Sequence, residues 1–116
     1  MSPRTESPVV RGMLDRVRAA LPDGEQREVR MFGAVAVMLD GAMAVAVHKD
    51  GSLLVRVDPV RDGDLVTRAG ASRATMGRDR SMGPGWIQVD AAALDGDAEL
   101  AEWLQHATTY LRARAR

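Results

Sequence analysis

The sequence has no cysteine, a single lysine, four aromatic residues and no apolar run long enough to span a bilayer. Without cysteine there are no disulfides, no thiol nucleophile and no cysteine-built metal site, and the composition fits a reducing compartment. The most apolar stretch, Met31 to Val47, is interrupted at Gly33, Asp40 and Gly41, and the opening MSPRTESPVVRG lacks the apolar core of a signal peptide. No membrane partner is expected, and the expected location is cytoplasmic. Charge of one sign is missing too: 16 basic and 16 acidic residues give a formal net charge of zero. That balance argues against broad electrostatic capture of nucleic acid. All the basic residues but Lys49 are arginine, a skew that genomic bias explains more simply than selection for bidentate phosphate binding. Tyr110 is the one aromatic candidate for exposure, too few for single-strand stacking.

What is present is enough for one domain over residues 1–116, with residues 1–7 expected as a flexible tail. Ser7 and Pro8 have the character of an N-cap and first helical position. Val10, Met13, Leu14, Val17 and Leu21 then recur on one helical face, predicting a helix from Pro8 to Leu21. Four strands follow, at Arg27 to Phe32, Ala34 to Leu39, Ala42 to His48 and Ser52 to Asp58, linked by Asp40-Gly41 and Lys49-Asp50-Gly51 turns into an antiparallel meander. Asp58-Pro59 opens a predicted helix from Pro59 to Ala69. A strand is expected near Ser72 to Met76, a glycine- and arginine-rich loop after it, and a strand over Trp86 to Asp90. The last helix starts near Asp95 or Asp97, with Leu100, Trp103, Leu104, Ala107 and Leu111 on its apolar face. The order α-β(4)-α-β(2)-α is an α+β pattern of two layers, helices on an antiparallel sheet.

The hairpin around Asp40-Gly41 poses the main question. A two-residue turn places Leu39 opposite Ala42, Val37 opposite Ala44 and Val35 opposite Ala46, with Met38 opposite Met43 on the other face. Both faces are then apolar, the helices cover one, and the other needs a loop, the middle helix or a second chain; a homodimer is the expected answer. A three-residue turn instead gathers Val35, Val37, Leu39, Met43, Val45 and Val47 on one face, leaves the other mostly alanine, and weakens the case for pairing.

Chemistry-bearing residues are sparse. Ser52, Ser72, Ser81 and the threonines are the candidate nucleophiles, and His48 and His106 the only histidines. None falls in a catalytic spacing, and no metal-ligand set or phosphate loop is recognisable. No catalytic residue, metal or cofactor is expected. The best functional candidate is a cationic cluster of Arg68, Arg73, Arg78 and Arg80, within which Asp79 is the only acid, joined by Arg56 and Arg30 from neighbouring strands. Such a patch suits an acidic protein or phosphate. Ordinary ion pairing with the 16 acids is the simpler account. The methionines read mostly as core filler, with Met76 and Met82 flanking the arginine loop as an adaptable contact surface.

Four segments, RMFGAVAVMLDG (30–41), LLVRVDP (53–59), MGRDRSMGPGWIQVD (76–90) and LAEWLQHATTYL (100–111), resemble the TfoX/Sxy N-terminal domain family. The residues that carry the likeness are Met31, Phe32, Gly33, Gly41, Arg56, Gly77, Met82, Gly85, Trp86 and Trp103. The glycine usual after Met-Phe-Gly is Ala34 here, and a common aromatic of the second strand is Val37. The resemblance implies a two-layer fold shaped like the secretion chaperones, often paired. It also implies a regulatory role, as its namesake acts in DNA-uptake competence with a cyclic-AMP-responsive transcription factor. The expected function is therefore a non-catalytic interaction module acting through protein–protein contact, with a transcription regulator as the partner the resemblance suggests. Direct nucleic-acid binding through residues 68–80 is the alternative.

Overall fold

Ser7 caps the first helix in a computed structural model of the chain, which describes residues 7–31, 33–76 and 80–115. Its side chain accepts the Val10 N–H at 3.2 Å, and Pro8 opens helix α1 (Pro8–Ala20), the N-cap that the sequence predicts. Residues 1–6 lie outside the described residues. Val10, Met13, Leu14 and Val17 form the buried stripe of α1, as their spacing predicts.

Four strands follow as a meander: β1 (Gln26–Met31), β2 (Ala34–Leu39), β3 (Ala42–Val47) and β4 (Leu53–Arg56). Phe32, the expected last residue of β1, lies outside the described residues. After a short helix α2 (Asp62–Leu65) come β5 (Ala71–Arg73), β6 (Thr75–Met76), β7 (Arg80–Ser81) and β8 (Trp86–Val89). A 3₁₀ turn (Ala91–Leu94), absent from the sequence reading, leads into the long helix α3 (Asp97–Arg114). The main sheet has six antiparallel strands in the order β1-β2-β3-β4-β8-β5, and β6 and β7 form a separate two-stranded ribbon. The α+β class and two-layer plan are those expected.

Two expectations need correcting. The helix predicted over Pro59 to Ala69 shrinks to the single turn of α2. Asp58 does not cap a helix at Pro59; its carboxylate takes the Val60 N–H at 2.9 Å and its carbonyl the Arg61 N–H at 2.9 Å. The chain thus makes a reverse turn first, and Thr67 turns its hydroxyl back on the Asp64 carbonyl at 2.7 Å soon after. The strand expected near Ser72 to Met76 is broken at Ala74, and part of the supposed loop pairs with it as β7.

The hairpin settles between the two anticipated registers. Asp40 and Gly41 both have positive φ, 52° and 87°, the signature of a primed two-residue turn. Leu39 faces Ala42 and Met38 faces Met43, but Val37 then faces Val45, Ala36 faces Ala46 and Val35 faces Val47. Ala44 is the extra residue of a β-bulge. Ala44 and Val45 consequently both belong to the helix-side core. The bulge gathers Val35, Val37, Val45 and Val47 under the helices and turns Ala34, Ala36 and Ala46 to the opposite face.

Helix α1 is also tied to the sheet edge. Glu28 of β1 accepts from Arg11 at 2.7 Å and Arg18 at 2.9 Å. Hydrogen bonding from Arg11, then Arg18, holds the Glu28 carboxyl below its ordinary pKa against the opposing effect of burial. The edge strand therefore spends polar side chains on its own helix, one way of guarding an unpaired edge.

Candidate functional site

The sheet has two unlike faces. The first is sealed by α1, α3, Leu65 of α2 and Leu94 of the 3₁₀ turn into one core. The second carries a floor of Ala34, Ala36, Ala46, Leu54 and Ala74, with Val29, Met31, Met38, Met43, Met82 and Trp86 packed around it. Among the described residues, no helical side chain belongs to this second cluster. Alanine ends at Cβ, so the floor is shallow, and the surrounding side chains bury it: Ala36 is 0 % and Ala46 3 % exposed. The four methionines and Trp86 are themselves only partly buried. They form an apolar rim around a small-residue floor, built from flexible thioethers that repack readily.

Register explains the rim. Met38 and Met43 face each other beside the Asp40-Gly41 turn, and Met31 faces Ala34 at the far end of β2. Met82 arrives with the chain that leaves the ribbon, its N–H bonded to the Ala74 carbonyl at 2.9 Å. Trp86 faces Arg56 across β4 and β8. The Arg56 guanidinium lies 4.6 Å from the Trp86 ring centre and 5.3 Å from that of Tyr110, to whose hydroxyl it donates at 3.4 Å. Arg56, expected to contact a partner, thus bridges the rim to α3.

At one end of the strands the surface turns polar. Ser52 is buried; its N–H and hydroxyl both donate to Asp50, at 3.0 and 2.6 Å, and Gln88 donates to its oxygen at 3.1 Å. The Ser52 hydroxyl, then its N–H, holds Asp50 below its ordinary pKa. With its proton committed to a carboxylate, Ser52 has no histidine base, and this trio is a turn lock in place of a nucleophile. No group of three or more His, Cys, Asp or Glu among the described residues can hold a metal ion.

Of the expected arginine cluster, Arg73 and Arg68 are tied into ion pairs. Arg73 grips the buried Asp62 with two bonds of 2.8 and 2.6 Å, and Asp62 also accepts the Gly85 N–H at 2.9 Å. That bidentate bond, more than any other influence, holds Asp62 below its ordinary pKa and raises that of Arg73. Arg68 pairs with Glu102 of α3 at 2.6 Å. Arg80 is exposed on β7. Arg78 and the family position Gly77 lie outside the described residues. The remaining family positions are structural or belong to the rim: Gly33 and Gly41 sit in turns, Met31, Met82 and Trp86 ring the alanine floor, and Trp103 is in the core. Gly85 is buried with φ 98°, and a Cβ there would stand 3.3 Å from the Val57 carbonyl oxygen, so the Asp62 contact needs glycine.

A helical layer on one face of a six-stranded antiparallel sheet, with an apolar second face, defines a small α+β domain. The TfoX N-terminal domain matches residues 19–110, most of the chain, which belongs to that family. No curated protein matches the chain.

The sequence reading missed the rim as a unit. Its methionines were assigned mainly to the core, and only the bulge at Ala44 separates the alanine face from the valine face. The Asp62–Arg73 pair was also missed, although an aspartate beside glycine in a poor helix is a local hint of a tertiary role.

Proposed function

We propose that this domain is a non-catalytic interaction module of regulatory type that meets a protein partner through the helix-free face of its sheet. The observation carrying the reading is the composition of that face, a buried alanine floor ringed by partly buried Met31, Met38, Met43, Met82 and Trp86. Methionine surfaces adapt to a partner's shape, and an apolar patch without a covering layer marks a contact site. Self-pairing is not needed to bury the alanines, because the chain's own side chains cover them. A homodimer would use the same rim. The resemblance stated from the sequence suggests a transcription regulator as the partner.

The test compares the wild-type chain with Met38→Ser/Met43→Ser and with Arg80→Ala. Solution mass is measured by light scattering at two salt concentrations, with and without a short DNA duplex, and partner capture is measured on the immobilised chain. Mass is expected to ignore DNA. A captured protein should be lost with the methionine variant and kept with Arg80→Ala. Capture indifferent to the methionines, or a salt-sensitive DNA complex that weakens with Arg80→Ala, overturns the reading.

A further inference from the structure

The helical layer holds a second feature, remote in kind from the apolar rim. Between the turn after β4, α2 and the second half of α3 lies a cavity of about 350 Å³, lined among others by Asp58, Arg61, Gln105, His106, Thr109 and Tyr110. That size falls in the range of small-molecule sites. Asp58 and the Tyr110 hydroxyl already accept hydrogen bonds, whereas the exposed Arg61, Gln105 and Thr109 at its mouth keep their side chains for solvent or a ligand. Arg68 and Arg73 are consumed by ion pairs. The Arg61 guanidinium, by contrast, makes no hydrogen bond or ion pair with any described residue, nor do the Gln105 amide and Thr109 hydroxyl make a hydrogen bond. His106 leaves Nε2 buried and unpartnered, 3.9 Å from the Glu102 carboxylate and beyond hydrogen-bond reach. A buried orphan of this kind calls for an explanation. Apolar wall is supplied by Leu65 and the Tyr110 ring.

We infer that this cavity binds a small ligand bearing an oxyanion, its charge met by Arg61 with Gln105 and Thr109 and its body set against Tyr110 and Leu65. The donors outnumber the acceptors: Asp58 is the one carboxylate in the lining, and one of its oxygens already takes the Val60 N–H. An anion gives the exposed Arg61 guanidinium a charged partner in place of water, and arginine is the side chain best shaped for it.

His106 reports occupancy. The charged groups that act on it are Arg61 from the turn into α2, Arg68 after α2, and Glu102 on its own helix; Asp58, Tyr110 and the Arg114 guanidinium over the Tyr110 ring complete the surroundings. Burial first, then Arg68 and Arg61, depress its pKa, while Glu102 opposes them. An anion on Arg61 removes part of that repulsion, so the midpoint of His106 rises on binding. By linkage the anion binds more tightly as pH falls through that midpoint.

The test is a histidine NMR titration of the intact chain in sodium sulfate, whose charge is constant over this pH range, and in sodium acetate, each against sodium chloride at matched ionic strength. The sequence has only His48 and His106, and a His48→Gln variant assigns the two signals. A saturable rise of the His106 midpoint in sulfate or acetate, with His48 still, is the expected result, and the more effective anion tells a tetrahedral from a planar oxyanion. Arg61→Gln should weaken binding roughly tenfold, the loss of a charged hydrogen bond, with the thermal melt unchanged. Thr109→Val is the second variant and should weaken it a few-fold. Midpoints no different from chloride, equal movement of both histidines, or a saturable rise undiminished in Arg61→Gln overturns the inference.

Discussion

The two faces of the sheet are made by alternate residues of the same strands, yet they are different surfaces. Under the helices, Val37, Val45, Val47 and Val55 are fully buried, and α1 and α3 supply Leu14, Val17, Leu100 and Leu104 against them. On the other side, Ala36 and Ala46 are equally buried but lie beneath methionine and tryptophan side chains that remain partly in water. Branched residues facing a helical layer give a dry, close-packed interior. Alanines beneath thioethers give a thin, deformable one. Burial alone therefore does not tell the two faces apart; what lies above the buried atoms does.

The largest expected effect falls on the sealed face. Leu104→Ala removes a side chain that is 1 % exposed and leaves a cavity between α3 and the sheet. The cost should be about 2–5 kcal/mol, read as a fall in the urea midpoint at unchanged slope. A loss below about 1 kcal/mol would mean that the helical layer repacks as easily as the methionine rim, and the contrast would collapse.

Next is the Asp62–Arg73 pair, which pins α2 to the sheet edge. Asp62→Asn should cost about 2 kcal/mol at neutral pH, less than the 3–5 of a fully buried pair because solvent screens Arg73, whose side chain is 36 % exposed. The pH dependence has a definite sign. Asp62 has a lowered pKa in the folded chain, so its stabilisation is complete above the unfolded aspartate value, about 4. It is lost as pH falls from there through the folded value. Melts at neutral pH and at pH 3 should differ less in Asp62→Asn than in the wild type.

The alanine floor comes third. Ala36→Leu forces extra volume against Ala46 and the methionines above, and should destabilise by about 1–3 kcal/mol. The lower end would say that the thioethers move aside, which sharpens the reading of this face as adaptable.

The spacing of apolar residues reveals α1 and α3, and Asp40-Gly41 announces its turn, because those signals are local. The bulge at Ala44 is not local: β2 and β3 are apolar on both faces, so alternation could not say which residues go under the helices. The bulge decided, with Val35, Val37, Val45 and Val47 packed under the helical layer beside Ala44, and Ala34, Ala36 and Ala46 turned away. The partners of Arg73 and Arg68 were hidden for a related reason. Arg73 finds Asp62 eleven positions earlier, and Arg68 finds Glu102 thirty-four positions later; such pairings exist only once the sheet and helices are assembled. The cavity at Arg61 and His106 was invisible for the same cause, since its walls come from a turn, a one-turn helix and the far half of α3.

The smallest effect is the most discriminating. Met43→Ser changes a partly buried rim residue that faces Met38 next to the turn, where water already reaches one side. Its loss should cost less than about 1 kcal/mol, well under a fully buried methionine, because little apolar area returns to solvent. Partner capture should fall sharply in the same variant, since at an interface that side chain would be fully desolvated. Stability and binding would then separate: the sealed face controls whether the chain folds, and the open one whom it meets. Were Met43→Ser to unfold the chain as readily as Leu104→Ala, the rim would be core, and the search for a contact surface would move elsewhere.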